Sequence, residues 1–104
     1  MLCDLDQSFN TWLTIYPRGF MDLQSIKTKN EAFNKKFNLC YADEKSALEI
    51  LNSNRLERIM ALSNRKFSIN LNEDGRLYIA VHDGHGFNSE NLQWFVDMID
   101  VFRE

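Results

Sequence analysis

The sequence predicts an α+β domain in which helices cover one face of a mainly antiparallel sheet of four to five strands. Two stretches with apolar residues at every second position predict adjacent strands, and helical apolar spacing in segments 43–62 and 89–104 predicts helices that pack on one face. The length of 104 residues suits a single domain, 1–104. Apolar residues make up 44% of the chain and charged residues 26%, the balance of a soluble globular protein.

The first predicted strand covers residues 11–16, a stretch rich in β-branched and aromatic side chains. Side chains alternate between the two faces of a strand. If Leu13 and Ile15 face the core, Trp12 and Tyr16 therefore point to the opposite side. Exposed aromatic side chains in such a position are frequent protein contact sites, although a second covering layer would bury them equally well.

Three further elements follow in the first half of the chain. Residues 21–26 predict a short additional strand, and residues 30–36 predict one or two helical turns with Asn30 as the N-cap. The next strand is predicted by apolar residues that alternate with smaller or polar ones: Phe37, Leu39 and Tyr41.

The helical region 43–62 is predicted to consist of two short helices. Asp43 is the expected N-cap of the first helix, and Asn54 followed by Glu57 resembles the capping box of a second. The apolar stripes of the two helices are Ala47, Leu48 and Leu51, then Leu56, Ile59 and Met60.

A β-hairpin between residues 67 and 81 is the clearest local prediction. Two apolar sets alternate with other residues: Phe67, Ile69 and Leu71, then Leu77, Ile79 and Val81. Directly opposed residues share a face, so the register pairs Leu71 with Leu77 and leaves a loop of residues 73–75. This loop requires Gly75 in the left-handed conformation. A two-residue turn would place Leu77 opposite polar Asn72, and we reject it.

The last helix, predicted to begin near Asn88 or Ser89, carries an unusually wide apolar belt. Eight of the eleven residues from Leu92 to Phe102 are apolar, which exceeds the stripe that a surface helix on a small sheet needs. Either the helix lies deep against a curved sheet, or its second flank contacts another chain. The side chains that extend the belt are Trp94, Met98 and Val101.

Charge and cysteine usage exclude several classes of protein. The net charge is −3, so no nucleic-acid partner is expected, although residues 18–66 carry a local +4 and residues 83–104 a local −4. No window reaches the roughly 18 apolar residues of a membrane span, and no signal peptide is recognisable at the start. Cys3 and Cys40 are expected to be reduced thiols in a cytoplasm.

One loop contains residue types that bind metals. His82, Asp83 and His85 would place three donor atoms near one cation, yet a catalytic metal site needs a further strong ligand in a recognisable motif. Strand-to-helix loops also collect these residue types for conformational reasons. We therefore predict no catalytic residues, metal or cofactor, and keep these three residues as weak candidates.

A family resemblance rests mainly on core and cap positions. The run 31–43 contains two phenylalanines four positions apart, Phe33 and Phe37, followed by a strand that ends in an acid; segments 47–51, 56–60 and 75–81 and Phe87 continue the pattern. From about residue 20 to 104, the chain resembles the C-terminal soluble part of bacterial domain-of-unknown-function family 3137, sometimes misnamed galanin-like.

What the resemblance implies is limited to architecture. Typical members resemble inner-membrane proteins with two N-terminal spans, which this chain lacks. It also departs from the family pattern at Ser53, where many members carry proline, and at Asn88-Ser89, where an acid-proline pair is usual. The resemblance therefore implies a soluble excerpt or a free-standing relative, and it supplies no reaction.

The expected function is a non-enzymatic protein-interaction or regulatory module of a bacterial cytoplasm, or of the cytosolic part of an inner-membrane protein. A homodimer is expected, and no nucleic acid. Two alternatives remain: a small metal-dependent or ligand-binding enzyme at residues 82–85, and an inhibitor encoded by a mobile element. The expected interface residues are Trp94, Met98, Val101, Trp12 and Tyr16.

Overall fold

Helices on one face of an antiparallel sheet make up the domain. A computed structural model describes residues 1–18, 28–82 and 89–103. Within these ranges, five strands form one sheet with the order β1-β5-β4-β2-β3, and the helices share a single core with one face of the sheet. The elements are β1 (Leu2–Asp4), β2 (Leu13–Pro17), α1 (Glu31–Lys36), β3 (Phe37–Tyr41), α2 (Glu44–Ile50), α3 (Ser53–Ala61), β4 (Phe67–Leu71), β5 (Arg76–Val81) and α4 (Ser89–Arg103).

The predicted hairpin is confirmed residue by residue. Strands β4 and β5 pair antiparallel with Leu71 opposite Leu77, and the same register continues to Phe67 opposite Val81. Gly75 has a φ of 87°, and its N–H donates to the Asn72 carbonyl at 3.0 Å. Only glycine adopts this conformation without strain, which is why the loop closes there.

The fifth strand comes from an unexpected part of the chain. Strand β1 lies at the edge of the sheet, where Cys3 pairs with Leu77 of β5. The additional strand predicted at residues 21–26 lies outside the described residues. Strand β2 begins at Leu13 and not at Thr11, because the Thr11 hydroxyl is hydrogen-bonded to the chain that leaves β3.

Side-chain caps set the starts of the short helices. Asn30 caps α1 and Asp43 caps α2, as predicted. Hydrogen bonds from the side chain and then the backbone of Ser46 hold the pKa of the Asp43 carboxyl below its ordinary value. The cap of α3 differs from the prediction: Asn52, and not Asn54, accepts from the Arg55 N–H at 2.9 Å. Helix α2 ends at Ile50, so the capping position falls two residues earlier than the local pattern indicates.

A row of aromatic rings runs through the core from α1 to α4. Phe33 lies 5.2 Å from Phe37 between ring centroids, and Phe37 lies 5.0 Å from Phe67. The Phe67 ring meets Trp94 edge-on at 5.4 Å, and Trp94 meets Phe95 in the same manner at 5.2 Å. The row joins α1, the sheet and α4. None of the helices in the described ranges combines the length and hydropathy that crossing a membrane demands.

The Thr11→Val variant tests how the sheet is tied to α2. The buried Thr11 hydroxyl accepts from the N–H groups of Ala42 at 3.1 Å and Asp43 at 2.9 Å, and donates to the Trp12 carbonyl. Valine keeps the shape of the side chain but leaves both N–H groups without this acceptor, so we expect a loss of about 2 kcal/mol in the free energy of unfolding. Urea denaturation measures it. The Thr11→Ser control keeps the hydroxyl and should lose about 1 kcal/mol or less; equal losses in both variants would contradict the assignment.

Candidate interaction surface

The apolar belt of α4 is buried within its own chain. Trp94 is 8% exposed, and Met98 and Val101 are fully buried at 0%. The indole N–H of Trp94 donates to the Leu62 carbonyl at 2.9 Å, which fixes the ring under the end of α3. The sheet covers one flank of α4 and α3 covers another. The width of the belt therefore reflects burial on two sides within one chain, and it does not indicate a partner at these three residues.

Two apolar side chains on α4 do remain exposed. Leu92 is 45% exposed and Val96 is 40% exposed. They lie one turn apart on one side of the helix. On the neighbouring side are two half-buried acids, Asp97 and Asp100, of which Asp97 accepts a hydrogen bond from Gln93 at 2.8 Å. Arg58 of α3 lines the same shallow cavity as these two acids, so the solvent side of α4 combines an apolar edge with one of mixed charge.

The face of the sheet that points away from the helices, here called the outer face, carries the even-numbered side chains of the strands. Cross-strand hydrogen bonds identify this face. The Thr14 hydroxyl donates to the Asn70 side chain at 2.6 Å, and the Tyr16 hydroxyl contacts the Cys40 sulfur at 3.7 Å. Leu13 and Ile15 are buried on the helical side, and the contact with Cys40 confirms the predicted outward orientation of Tyr16. Trp12 lies one residue before β2 and is exposed.

Large apolar side chains are exposed on the outer face. Leu2 is 52% exposed, Trp12 40% and Tyr78 49%. Leu2 pairs with Tyr78 across β1 and β5, and Tyr78 pairs with Asn70 across β5 and β4. Tyr16, in contrast, is half-buried. The sequence analysis assigned Trp12 to an interface but not Leu2 or Tyr78. The alternation of β5 could have identified Tyr78, because the side chain next to the buried Leu77 must point to the outer face.

Charged side chains of both signs border the outer face. Lys66, exposed just before β4, and Arg76 at the start of β5 lie at opposite ends of the hairpin. Arg76 pairs across the strands with Asp4 and forms an exposed salt bridge to Asp74 at 3.6 Å. Arg18 follows β2 and donates to the Asn34 carbonyl at 3.1 Å. An exposed ion pair of this kind contributes little to stability.

The metal candidates are only partly within the described residues. His82 follows directly after β5, and its Nε2 atom lies 2.9 Å from the Ser68 hydroxyl of β4. Asp83 and His85 lie outside the described residues. In the ranges that the structure describes, no three His, Cys, Asp or Glu side chains are grouped as a metal site would require. A serine hydroxyl beside an imidazole can exchange a proton, but catalysis needs a third group that orients the base. The described surroundings of His82 add no such group.

Comparison with known proteins gives a family but no activity. A family model described as "Protein of unknown function (DUF3137)" matches residues 1–102. The match includes β1, so it begins nearer the start of the chain than the resemblance from about residue 20. No curated protein and no solved structure matches the chain.

Proposed function

Because the chain belongs to the DUF3137 family, whose description names no activity, we propose from its geometry that the domain is a non-enzymatic protein-interaction module. Its binding surface is the outer face of the sheet, and its partner is a second copy of the chain. The observation that carries this proposal is the exposure of Leu2 and Tyr78 on one sheet face, with Trp12 exposed just before β2. Each of these side chains is 40–52% exposed.

The chemistry of the outer face supports contact with a protein. Tyrosine and tryptophan are enriched in interface cores, where charged residues are depleted. On the outer face, Thr14, Asn70, Tyr78 and Leu2 form one row across the sheet, and Trp12 lies at the end of the sheet where Arg76 stands. Aromatic rings on a rigid sheet also lose little conformational entropy on binding.

The size of the outer face indicates weak and reversible association. Asn38 of β3 is buried on this side, so the open part spans about four strands, or about 14 Å, and five residues along a strand span about 17 Å. A contact over this area buries on the order of 200–300 Å² on each copy, whereas stable interfaces bury about 800 Å² on each partner. We therefore expect association in the upper micromolar range, as suits a regulated contact.

The test is sedimentation velocity over a concentration series from about 1 to about 500 µM, a range chosen to bracket weak interfaces. The wild-type chain should associate as concentration rises. The Trp12→Ala/Tyr78→Ala variant should associate about tenfold more weakly, because it loses both rings. The Leu48→Ala variant is the matched control, since it truncates a half-buried apolar side chain on α2, away from the outer face. A wild-type chain that stays monomeric throughout would overturn the proposal.

A further inference from the structure

We infer that one end of the sheet is a separate interaction surface, which binds an acidic peptide segment of another protein. It lies where β2 and β5 stop and where β3 and β4 start, and it crosses these four neighbouring strands. This surface, here called the basic row, consists of one residue beside each strand: Lys36, Arg18, Lys66 and His82.

Backbone hydrogen bonds align the basic row. The Arg18 N–H donates to the Lys36 carbonyl at 2.9 Å, and the His82 N–H donates to the Lys66 carbonyl at 2.7 Å. The register between β2 and β4, continued past the strand ends, places Arg18 beside Lys66. All four residues are exposed. At the ordinary spacing of strands, the row is about 14 Å long.

Positive charge prevails at this end of the sheet. Four short stretches form it, with four Lys and Arg residues in total and no Asp or Glu: 16–18, 35–37, 66–68 and 80–82. Asp83 is the one acid that borders these stretches in the sequence. The opposite end of the sheet differs, because Arg76 there lies across from Asp4 and forms a salt bridge to Asp74. The basic row is therefore the end of the sheet that suits an anion.

Structural roles account for only part of this charge. The Lys36 ammonium donates to the Ser63 carbonyl, and Arg18 donates to the Asn34 carbonyl at 3.1 Å, so both side chains contact the C-terminal ends of helices. Because these carbonyl groups are neutral, the two bonds leave the positive charge in place. No hydrogen bond or ion pair joins the Lys66 side chain to the described part of the chain. Like charges on adjacent strands reduce stability, so the position of Lys66 beside Arg18 indicates a role other than folding.

Uncharged donors extend the site around Lys66. The Ser68 hydroxyl lies 2.9 Å from the Nε2 atom of His82. Ser68 is two residues from Lys66 on β4 and therefore lies on the same face of the sheet. A hydroxyl group and an imidazole N–H can each donate to a carboxylate that is bound beside the Lys66 ammonium. We therefore place the centre of the site at Lys66.

The length and charge of the basic row fit a short acidic peptide. Side chains on one side of an extended chain recur about every 7 Å, so about three carboxylates can face the row. A nucleic acid fits less well, because the net charge of −3 opposes a long phosphate backbone. Proteins that bind single strands also present exposed aromatic rings, whereas Tyr16, next to the row on β2, is half-buried against the Cys40 sulfur.

Fluorescence anisotropy with a labelled acidic peptide tests the inference. The probe has about ten residues in which glutamate alternates with threonine, so that its carboxylates share one side of an extended chain. The same peptide with glutamine in place of glutamate is the neutral control. The wild-type chain should bind the acidic peptide and not the neutral one. Raising the salt concentration should weaken the binding, because salt screens exposed charges.

Two double variants separate the basic row from the overall charge. Lys35→Glu/Lys66→Glu reverses Lys66 and the exposed lysine directly before Lys36, and it should weaken binding about tenfold or more. The matched control, Lys45→Glu/Arg103→Glu, changes the net charge equally at two exposed positions at the start of α2 and the end of α4. It should weaken binding about twofold or less, since these charges are distant and screened.

Folding of each variant is checked by circular dichroism and thermal unfolding. If Lys35→Glu/Lys66→Glu does not fold, Lys66→Gln removes a single exposed charge and should still weaken binding about threefold.

Three results would overturn the inference. The first is a wild-type chain that does not bind the acidic peptide. The second is equal weakening by the two double variants, which would show attraction by net charge alone. The third is tighter binding of oligothymidylate, or of vesicles of phosphatidylglycerol and phosphatidylcholine, than of the peptide. None of these results bears on the contact between copies, because Trp12 and Tyr78 are not part of the basic row and sedimentation measures that contact separately.

Discussion

Replacing Phe67 with alanine is expected to lower the free energy of unfolding by about 3–5 kcal/mol. Phe67 is fully buried, and its ring lies 5.0 Å from Phe37 and 5.4 Å from Trp94. It is the point at which the sheet, α1 and α4 share one aromatic cluster. The substitution removes the transfer free energy of the ring and leaves a cavity between rigid elements that do not collapse around it. Since small domains are stable by about 5–15 kcal/mol, this loss removes a large part of the total stability.

Urea denaturation followed by tryptophan fluorescence measures the effect, because Trp94 contacts the missing ring. Tyr78→Ala is the matched control. It removes an aromatic ring from the same hairpin, but from the outer face, where the ring is largely exposed. We expect the control to lose about 1 kcal/mol or less. Similar losses for both variants would contradict the assignment of the two faces.

Replacing Gly75 with alanine is expected to cost about 3 kcal/mol, through two separate effects. The φ of 87° strains any residue with a Cβ atom. The second effect is steric: a Cβ atom at this position would lie 2.0 Å from the carbonyl oxygen of Gln7. The chain around Gln7 cannot move away easily, because Leu5 donates to the Gly75 carbonyl at 3.0 Å and Phe9 donates to the Glu73 carbonyl at 2.8 Å.

The Gly75→Asn variant separates these two effects. Asparagine tolerates the left-handed conformation better than alanine. If backbone strain were the only effect, Gly75→Asn would therefore cost little stability. Since the Gln7 carbonyl blocks any Cβ atom, we expect Gly75→Asn to be nearly as unstable as Gly75→Ala. Thermal unfolding measures both, with Asp74→Ala in the same exposed loop as the control. If Gly75→Asn is well tolerated, the segment around Gln7 moves aside to admit the Cβ atom, and the steric effect is small.

Local sequence patterns predicted the elements that depend on interactions between residues close together in the sequence. The hairpin register followed from alternation alone, because a shift of one residue would turn every apolar side chain of β4 or β5 to the wrong face. The caps Asn30 and Asp43 followed from the preference of these side chains for the free N–H groups of a first turn. The prediction of Asn54 as a cap was wrong because Asn52 offers the same chemistry two residues earlier.

Strand β1 shows what local patterns miss. It has only three residues, one of them Asp4. Hydrogen bonds hold it to β5, whose residues lie more than seventy positions away in the sequence. A strand of this kind has no periodicity to detect. Its existence depends on the edge that β5 offers once the rest of the sheet is formed. For the same reason, the exposure of Leu2 next to Tyr78 on the outer face did not follow from the sequence.

The sequence by itself determined the fold class, the hairpin register and the presence of a strongly apolar last helix. Only the tertiary structure decided what that helix contacts. Apolar content reports how much surface must leave water, but not which neighbour covers it. Here α3 and the sheet bury Trp94, Met98 and Val101 within one chain. The same packing leaves Trp12 and Tyr78 in solvent on the outer face, since exposure depends on how distant elements pack together.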